Sequence, residues 1–579
     1  MSSNSAEVLI KGGSIVDGTG EPAFISDVRI SNGLIAEVGN DLSVNANEKV
    51  IDASGCLVTP GLIESHTHFD GTMWWQPDLD PLPGCGVTTI IMGNCGFAIA
   101  PVHEDPEVRA QVVKIFSFFE DIPEEPFFEN LPWDWRKWSE YQASMTSNVK
   151  VPTNYGTFVG HIALRLAVMG MDAWERAATA EEIVLIAEHL EDALSAGALG
   201  MSTNLMDHDG EDRPVPSLQA DDSEFRALFE VLARHDRATV QVVVDSIMRM
   251  TAVDSMERMA RISEGLDIRL QWAGVPTLQW QKDYGLQQPL VDLHERFAKE
   301  GRDFWTGYAH VPITVTASIR QSLLFAQSNE FVWHEVVTAE SDEEKLALLA
   351  DQSWRERARH SWDNDSLETS FFRKPQTMVL DNSENETGPM GISLGDYSEQ
   401  LGVHPSDALA EWFINNGLSS TVTMPPWEKD DDMVVRLTRD PFAVGNINDS
   451  GAHGQLFCGA GDNLLLYTDY VRGSGKLTVE EAVYSQTGKL AQHFGFTDRG
   501  EIKVGKRADV TVFNLEEIER REKYKVYDVP DGKGGKTWRW TRDAAPVRLT
   551  LVNGVSTFED GKATGARPGS MVSPQDGNA

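Results

Sequence analysis

Short apolar runs in two-residue alternation, broken by Gly-Gly, Asp-Gly and Asn-Gly pairs, fill the first sixty residues: EVLIKGGSIVDGTG, DVRISNGLIAEVG and KVIDASGCLVTPG. Such pairs adopt positive φ at little cost, so the pattern predicts strands joined by tight turns. Runs of the same kind return only near the other end, as GEIKVGKRADVTVFN and VRLTLVNGVSTFEDGKATG. Strands at both termini with nothing similar between them predict one small β-sandwich built from residues 1–60 and 497–579, the latter closing on a polar tail. Over residues 61–496 the period changes. GVTTIIMGNCG reads as a buried strand entering a glycine turn, and AEEIVLIAEHLEDALSAGALGMSTNL as an amphipathic helix ending at Gly197 before the next strand. DPFAVGNINDSGAHG reads as a late strand opening into a polar loop. Alternation sustained over this length predicts an α/β fold, a closed (β/α)8 barrel, with a doubly wound open sheet as the alternative. Two stretches exceed ordinary connections, near residues 116–142 and 317–374, and are expected to form lids or pocket walls.

Charge narrows the partners. Across 579 residues, Asp+Glu 89 against Lys+Arg 50 gives a formal net charge of -39, which repels nucleic acid phosphate and anionic membrane, and no Lys/Arg run offsets it. The N-terminus lacks a signal-peptide pattern, and no stretch offers roughly 18 uninterrupted apolar residues. The four cysteines (Cys56, Cys85, Cys95, Cys458) do not form a disulfide framework. A cytoplasmic protein acting on a small molecule is expected, with homo-oligomerisation left open.

The candidate chemistry begins at VTPGLIESHTHFDG. A period of two points His66 and His68 to the same side of a strand end, where neutral imidazoles bind divalent metals. That pair alone is common by chance. IIMGNCGFAIAP adds Cys95 from the second strand, and DPFAVGNINDSGAHG adds Asp449 and His453 from the eighth. A thiolate, two imidazoles and a carboxylate at one rim form a zinc-like set. Plainer readings stand beside it: Cys95 as a small buried hydrophobe, Asp449 as a turn former, His453 as a loop residue or substrate contact.

These motifs, with VGHIALRLAVMG, ALSAGALGMSTNL, GEIKVGKRADVTVFN and VNGVSTFEDGKATGARPG, resemble the amidohydrolase superfamily, and within it the D-aminoacylases or N-acyl-D-amino-acid deacylases. The resemblance implies a (β/α)8 barrel flanked by a β-sandwich, zinc binding and amide hydrolysis. It implies His66 and His68 as metal ligands, Cys95 as the metal-binding cysteine, and Asp449 as the catalytic aspartate, itself able to ligate. The sequence also departs from those deacylases, which carry a histidine on each of the fifth and sixth strands. Here Gln241 and Gln271 stand in RATVQVVVDS and DIRLQWAGV. An amide oxygen is a poor zinc ligand, so one tightly bound Zn2+ is expected, with a second site weak or absent. The basic stretch that follows the aspartate in the deacylases is replaced by SGAHGQLFCGAGDN, which leaves the substrate open.

The expected reaction is hydrolysis of a non-peptide amide bond in an N-acyl compound by metal-activated water, with Asp449 as the base. Candidate substrate contacts are His161, Arg165, Gln241, Gln271, His453 and Trp74. A satisfied core histidine and a structural ion pair are the competing readings of His161 and Arg165. Trp74, Trp75, Phe116, Phe118, Phe119, Phe127, Phe128, Trp133 and Trp135 predict either a pocket for a bulky apolar or aromatic group or a seam packing the first insertion. Alternatives are cleavage of a cyclic amide, carbamate or lactone, deamination, or a binding protein that kept the scaffold and lost catalysis.

Overall fold

The computed structural model describes residues 7–211, 213–246, 250–312, 314–319, 332–364, 375–452 and 454–574. Both ends of the chain meet in one hydrogen-bonded sheet of nine strands. Its seam is the antiparallel pairing of Leu57–Pro60 with Val510–Phe513, in which Val58 faces Val512. Alternation along the second strand divides its labour. Val510 and Val512 join Ile10, Val28, Ile30, Leu549 and Leu551 in a separate apolar core, while the Thr511 hydroxyl donates to Gly86 O at 2.8 Å and ties the sheet to the central region.

The central strands are parallel and pair in chain order. Val159–Gly160, Gly200–Asn204, Thr239–Val243, Arg269–Trp272, Phe304–Gly307 and Ala443–Val444 form one six-stranded arc. Leu62–Glu64, Val87–Met92 and Asn154–Thr157 form a second, and His66–Thr67 with Ile447–Ser450 a third. A doubly wound sheet reverses its strand order at a switch point; this one does not, which removes that alternative. The hydrogen bonding is in three arcs rather than one uninterrupted barrel. Amphipathic helices cover the outside. Ala180–Ser195 starts at a capping box, Thr179 with Glu182, and buries Ile186, Leu190, Ala193 and Leu194.

Both expected insertions carry secondary structure of their own. The first holds the helices Pro106–Glu120, Glu125–Asn130 and Trp138–Asn148. The second is larger than 317–374: strands Thr316–Ser318, Val379–Asn382 and Thr421–Thr423 make an antiparallel sheet. Trp333, Trp354, Leu380, Leu409 and Trp412 pack in a core distinct from that of the central parallel strands. Residues 320–331 and 365–374 of that expected insertion lie outside the described residues. Among the described residues no helix is long and apolar enough to cross a membrane.

Candidate metal centre

The strand Leu62–Glu64 runs on into His66–Thr67, which pairs in parallel with Ile447–Ser450. The register joins Ile447 to His66 and Ser450 to Thr67, so Asn448 and Asp449 bulge out of the ladder. With Asp449 at φ 49°, the bulge turns its carboxylate to the imidazoles. Oδ1 lies 3.1 Å from His66 Nε2 and 3.7 Å from His68 Nε2. Cys95 enters from the end of Val87–Met92, its Sγ 3.1 Å from His66 Nε2 and 3.9 Å from His68 Nε2. One donor atom from each of His66, His68 and Cys95 lies within 4.8 Å of the others.

The loop that presents Cys95 is fixed from several sides. Gly93, Cys95 and Gly96 all have positive φ (70°, 58° and 77°). A Cβ at Gly93 would meet Phe158 O at 2.3 Å, so glycine is required there. The Cys95 N–H donates to Gln241 Oε1 at 3.0 Å, and Asn204 Nδ2 donates to Cys95 O at 3.1 Å.

Buried acids surround these donors. Glu120, at the end of the first insertion helix and 2 % exposed, places Oε1 3.1 Å from His68 Nδ1. Burial opposes charge on His68, but Glu120 and Asp449 outweigh it and raise the imidazole pKa. Asp70 is pushed up to about 6 by burial. Burial, then the negative charges of Asp449 and Glu120, hold the Cys95 thiol well above its ordinary value. Two imidazoles, a thiol and three carboxylates in so small a volume fit a divalent cation, which would relieve the mutual repulsion of the acids and favour the thiolate. Solvent reaches the cluster through Asp449, whose side chain is 31 % exposed against 1 % for His68. An open cavity of about 250 Å³ lies on that side, lined by Ile447, Asn448 and Asp449 and by a cationic wall of Arg520, Lys523 and Arg542.

The expected substrate contacts have partners of their own within the fold. His161 and Arg165 are fully buried. His161 Nε2 meets Glu224 Oε1 at 2.8 Å and Nδ1 meets Thr203 Oγ1 at 2.9 Å, while Arg165 pairs with the same carboxylate and donates to Arg176 O at 2.9 Å. Burial pushes Glu224 up, but the hydrogen bond and charge of His161 and the charge of Arg165 win and hold it below the usual carboxylate range. This trio is internal architecture. Gln241 braces Cys95, and Gln271 Oε1 accepts from His493 Nε2 at 2.9 Å; each is at most 2 % exposed. His453 lies outside the described residues. Trp74 stacks on Trp135, ring centroids 5.8 Å apart, and Phe116, Phe119, Phe127 and Trp135 are all buried. The buried members of the aromatic cluster pack the insertion on the His66–His68 loop, and none of them lines this cavity or its neighbour of about 80 Å³, where Phe69, Phe457 and Trp538 stand.

Sequence reasoning missed Glu120, Asp70 and the cationic wall. Glu120 was readable in principle: it follows Phe116 by four residues and Val113 by seven, on the buried face of its helix.

The sequence pattern of the Amidohydrolase family matches residues 49–353 and 400–558. A D-aminoacylase of Alcaligenes xylosoxydans xylosoxydans is 24% identical over 98% of this chain and 97% of its own. A structure of D-aminoacylase, described as having a binuclear metal centre with one-metal activation and second-metal attenuation, aligns at TM-score 0.65 and 22% identity over 98% of this chain and all of its own. The N-acyl-D-glutamate deacylase of Bordetella bronchiseptica, solved with zinc and a phosphonate mimic of the tetrahedral intermediate, aligns at TM-score 0.64 and 22% identity over 99% of this chain and all of its own.

Proposed function

The chain belongs to the amidohydrolase family, and from that premise we propose that it is a zinc-dependent hydrolase of a non-peptide amide bond in a small N-acyl compound. The observation that carries this reading is Asp449, whose Oδ1 touches both imidazoles while its side chain opens to the cavity. Zinc held by His66, His68, Cys95 and Asp449 would supply a Lewis acid able to bring the pKa of water toward about 7 and to polarise a carbonyl. Asp449 takes the proton from the attacking water on its carboxylate and delivers it to the leaving nitrogen, which needs one carboxylate reachable from both. Glu120 Oε1, 3.1 Å from His68 Nδ1, places a negative charge behind that side of the ring and favours Nε2 as the atom facing the site. Gln241 keeps the Cys95 backbone in its left-handed turn.

One tightly held ion is favoured, because the amide oxygens of Gln241 and Gln271 already accept hydrogen bonds from Cys95 and His493. A bulky aromatic substrate group loses its support with the burial of the insertion aromatics. The three arcs read as one (β/α)8 ring, since Ile63, Ile91, Trp305 and Val444, from strands at both ends of the pairing order, share one buried cluster. Residues 61–496 are then the catalytic unit, with 1–60 and 497–579 its composite flank.

The test pairs elemental analysis with a panel of N-acyl-amino acids, aryl amides, carbamates and lactones. One equivalent of zinc, with N-acyl hydrolysis abolished in Asp449→Asn, is the expected result. Hydrolysis of lactones alone would overturn the C–N assignment. Metal-free protein from chelator-free purification would point to a binding scaffold.

A further inference from the structure

The strand Leu62–Glu64 ends in a fully buried carboxylate whose neighbours are carboxamides. Asn448 Nδ2 donates to Glu64 Oε1 at 3.3 Å and to Asn446 Oδ1 at 3.1 Å. Gln486 Nε2 donates to the same Asn446 oxygen at 3.2 Å and to Asn463 O at 2.7 Å. Asn463 Nδ2 donates to Cys85 O at 3.1 Å, and Cys85 lies close enough to Glu64 for that carboxylate to help raise its thiol pKa. The path therefore returns to the neighbourhood of Glu64. It joins the strand Ile447–Ser450, the 3-10 turn Asp462–Leu464 and the last residue of the helix Val479–Gln486 around one buried polar spot.

In this circuit the amide nitrogens are spent and the oxygens are left over. Asn446 Nδ2 donates to Ile63 O at 2.6 Å. Glu64 Oε2, Asn448 Oδ1, Asn463 Oδ1 and Gln486 Oε1 are buried with no hydrogen-bond partner among the described residues. Turning an amide round does not cure the surplus, because it would set an oxygen against Glu64, Asn446 or a backbone carbonyl. The Ser450 hydroxyl beside Glu64 brings one donor and no charge. Charge is the larger difficulty. A carboxylate buried without a cation is far costlier than a buried amide, and Asp462 and Asp449 add repulsion. Arg520 and Arg542 are both taken by Asp462. An ion that fills four lone-pair positions and cancels one negative charge answers both demands. Oxygen donors alone select a hard cation, a single carboxylate matches a single positive charge, and the C-terminal end of Val479–Gln486 adds the negative pole of its helix.

We propose that Glu64, Asn448, Asn463 and Gln486 hold a monovalent alkali cation, potassium or sodium, at a structural site separate from the centre of His66, His68 and Cys95. Glu64 stands two residues before His66, and Asn448 one residue before Asp449. The ion therefore ties the strand that carries the imidazoles to the bulge that carries the candidate base. The site stands whether or not the chain hydrolyses an amide, since its donors and its purpose are those of the fold.

The experiment melts zinc-replete full-length protein in choline chloride, replacing the choline stepwise by potassium chloride or sodium chloride at constant ionic strength. At saturation one of these ions should raise the melting temperature by about 2–5 °C, the effect of a ligand at about 100 times its Kd on a chain of this size, along a single-site curve. Zinc content, measured on the same samples, should stay constant. Glu64→Gln should lose the rise. Gln486→Met, which removes one oxygen without changing charge, should shift the midpoint of the curve to at least about 10-fold higher salt, the worth of one contact to a charged group, and serves alone should Glu64→Gln fail to fold. Identical melts in choline, potassium and sodium overturn the site. So does a rise that follows zinc content, one that a folded Glu64→Gln retains, or one whose midpoint Gln486→Met leaves unmoved.

Discussion

Replacing Glu120 tests whether the insertion helix completes the metal centre or merely packs against it. His68 Nδ1 and Glu120 Oε1 are 3.1 Å apart at 1 % and 2 % side-chain exposure, so no water can substitute for a lost partner. Removing the carboxylate that orients a ligating imidazole costs about 10- to 100-fold in metal affinity, which is about 1.4–2.7 kcal/mol. Glu120→Gln should lie at the mild end, because its amide oxygen keeps a partial negative charge beside Nδ1, and Glu120→Ala at the severe end. The metal-free protein should respond with the opposite sign. There Glu120 is a buried acid close to Asp70 and Asp449, and all three lie near enough to raise the Cys95 pKa. Neutralising one of them relieves desolvation and repulsion, so metal-free Glu120→Gln should unfold at a higher temperature than metal-free wild type. Competition against a chromogenic chelator gives the affinity, and calorimetry on chelator-treated protein gives the stability. Wild-type zinc affinity in Glu120→Ala, within a factor of about two, would refute the orienting role; a destabilised metal-free Glu120→Gln would refute the electrostatic argument.

Other consequences are checked separately. Glu224→Ala leaves Arg165 charged and buried, so denaturant unfolding should register a loss of about 3–5 kcal/mol with zinc content near normal; little loss of stability would return His161 and Arg165 to the list of substrate contacts. His310, buried with its Nε2 donating to Asp462 O at 3.1 Å, is lowered to about 3 by burial and by Lys429. Between about 6.5 and 3 the unfolded chain therefore binds the extra proton and the folded one does not, so stability falls as pH drops through that window, by a few kcal/mol at most. His310→Asn should flatten that acid limb in thermal melts, and an unchanged slope would refute the assignment. Truncation after Phe496 removes the partner of Leu57–Pro60 and exposes Val58 and Ile10, so insoluble protein is expected; a soluble, metal-replete fragment would contradict the shared sheet.

The sequence made some of these features legible for identifiable reasons. Alternation with glycine turns located the terminal strands, and their absence from the middle implied that the two ends pair, as Val58 and Val512 do. The mixed pattern around Gly93 and Gly96 marked a tight turn at Cys95, which the positive φ values there bear out. The pairing of Lys523 with Arg542 is different. Both lie in a stretch rich in Lys, Arg and Trp that reads as a tail, and only the antiparallel register of Lys523–Pro530 with Lys536–Arg542 puts the two cations face to face.

The glutamines illustrate why residue type at a strand end does not fix a role. Gln241 and Gln271 are exact neighbours in the parallel register of Thr239–Val243 and Arg269–Trp272, which invites a common function. Their contacts diverge because what lies beside each strand differs: the Cys95 turn approaches Gln241, while the helix Gly488–His493 brings an imidazole to Gln271. A carboxamide suits both situations, accepting from a backbone N–H in one and from a ring N–H in the other. Burial holds His493 well below its ordinary pKa, so its ring is neutral and can serve as a fixed donor to Gln271. Both glutamines hold the fold: one secures the turn that presents the thiol, the other secures the helix packed against the central strands. Periodicity can place a side chain at a strand end, but the long-range element lying over it decides whether that side chain meets a metal, a substrate or its own backbone.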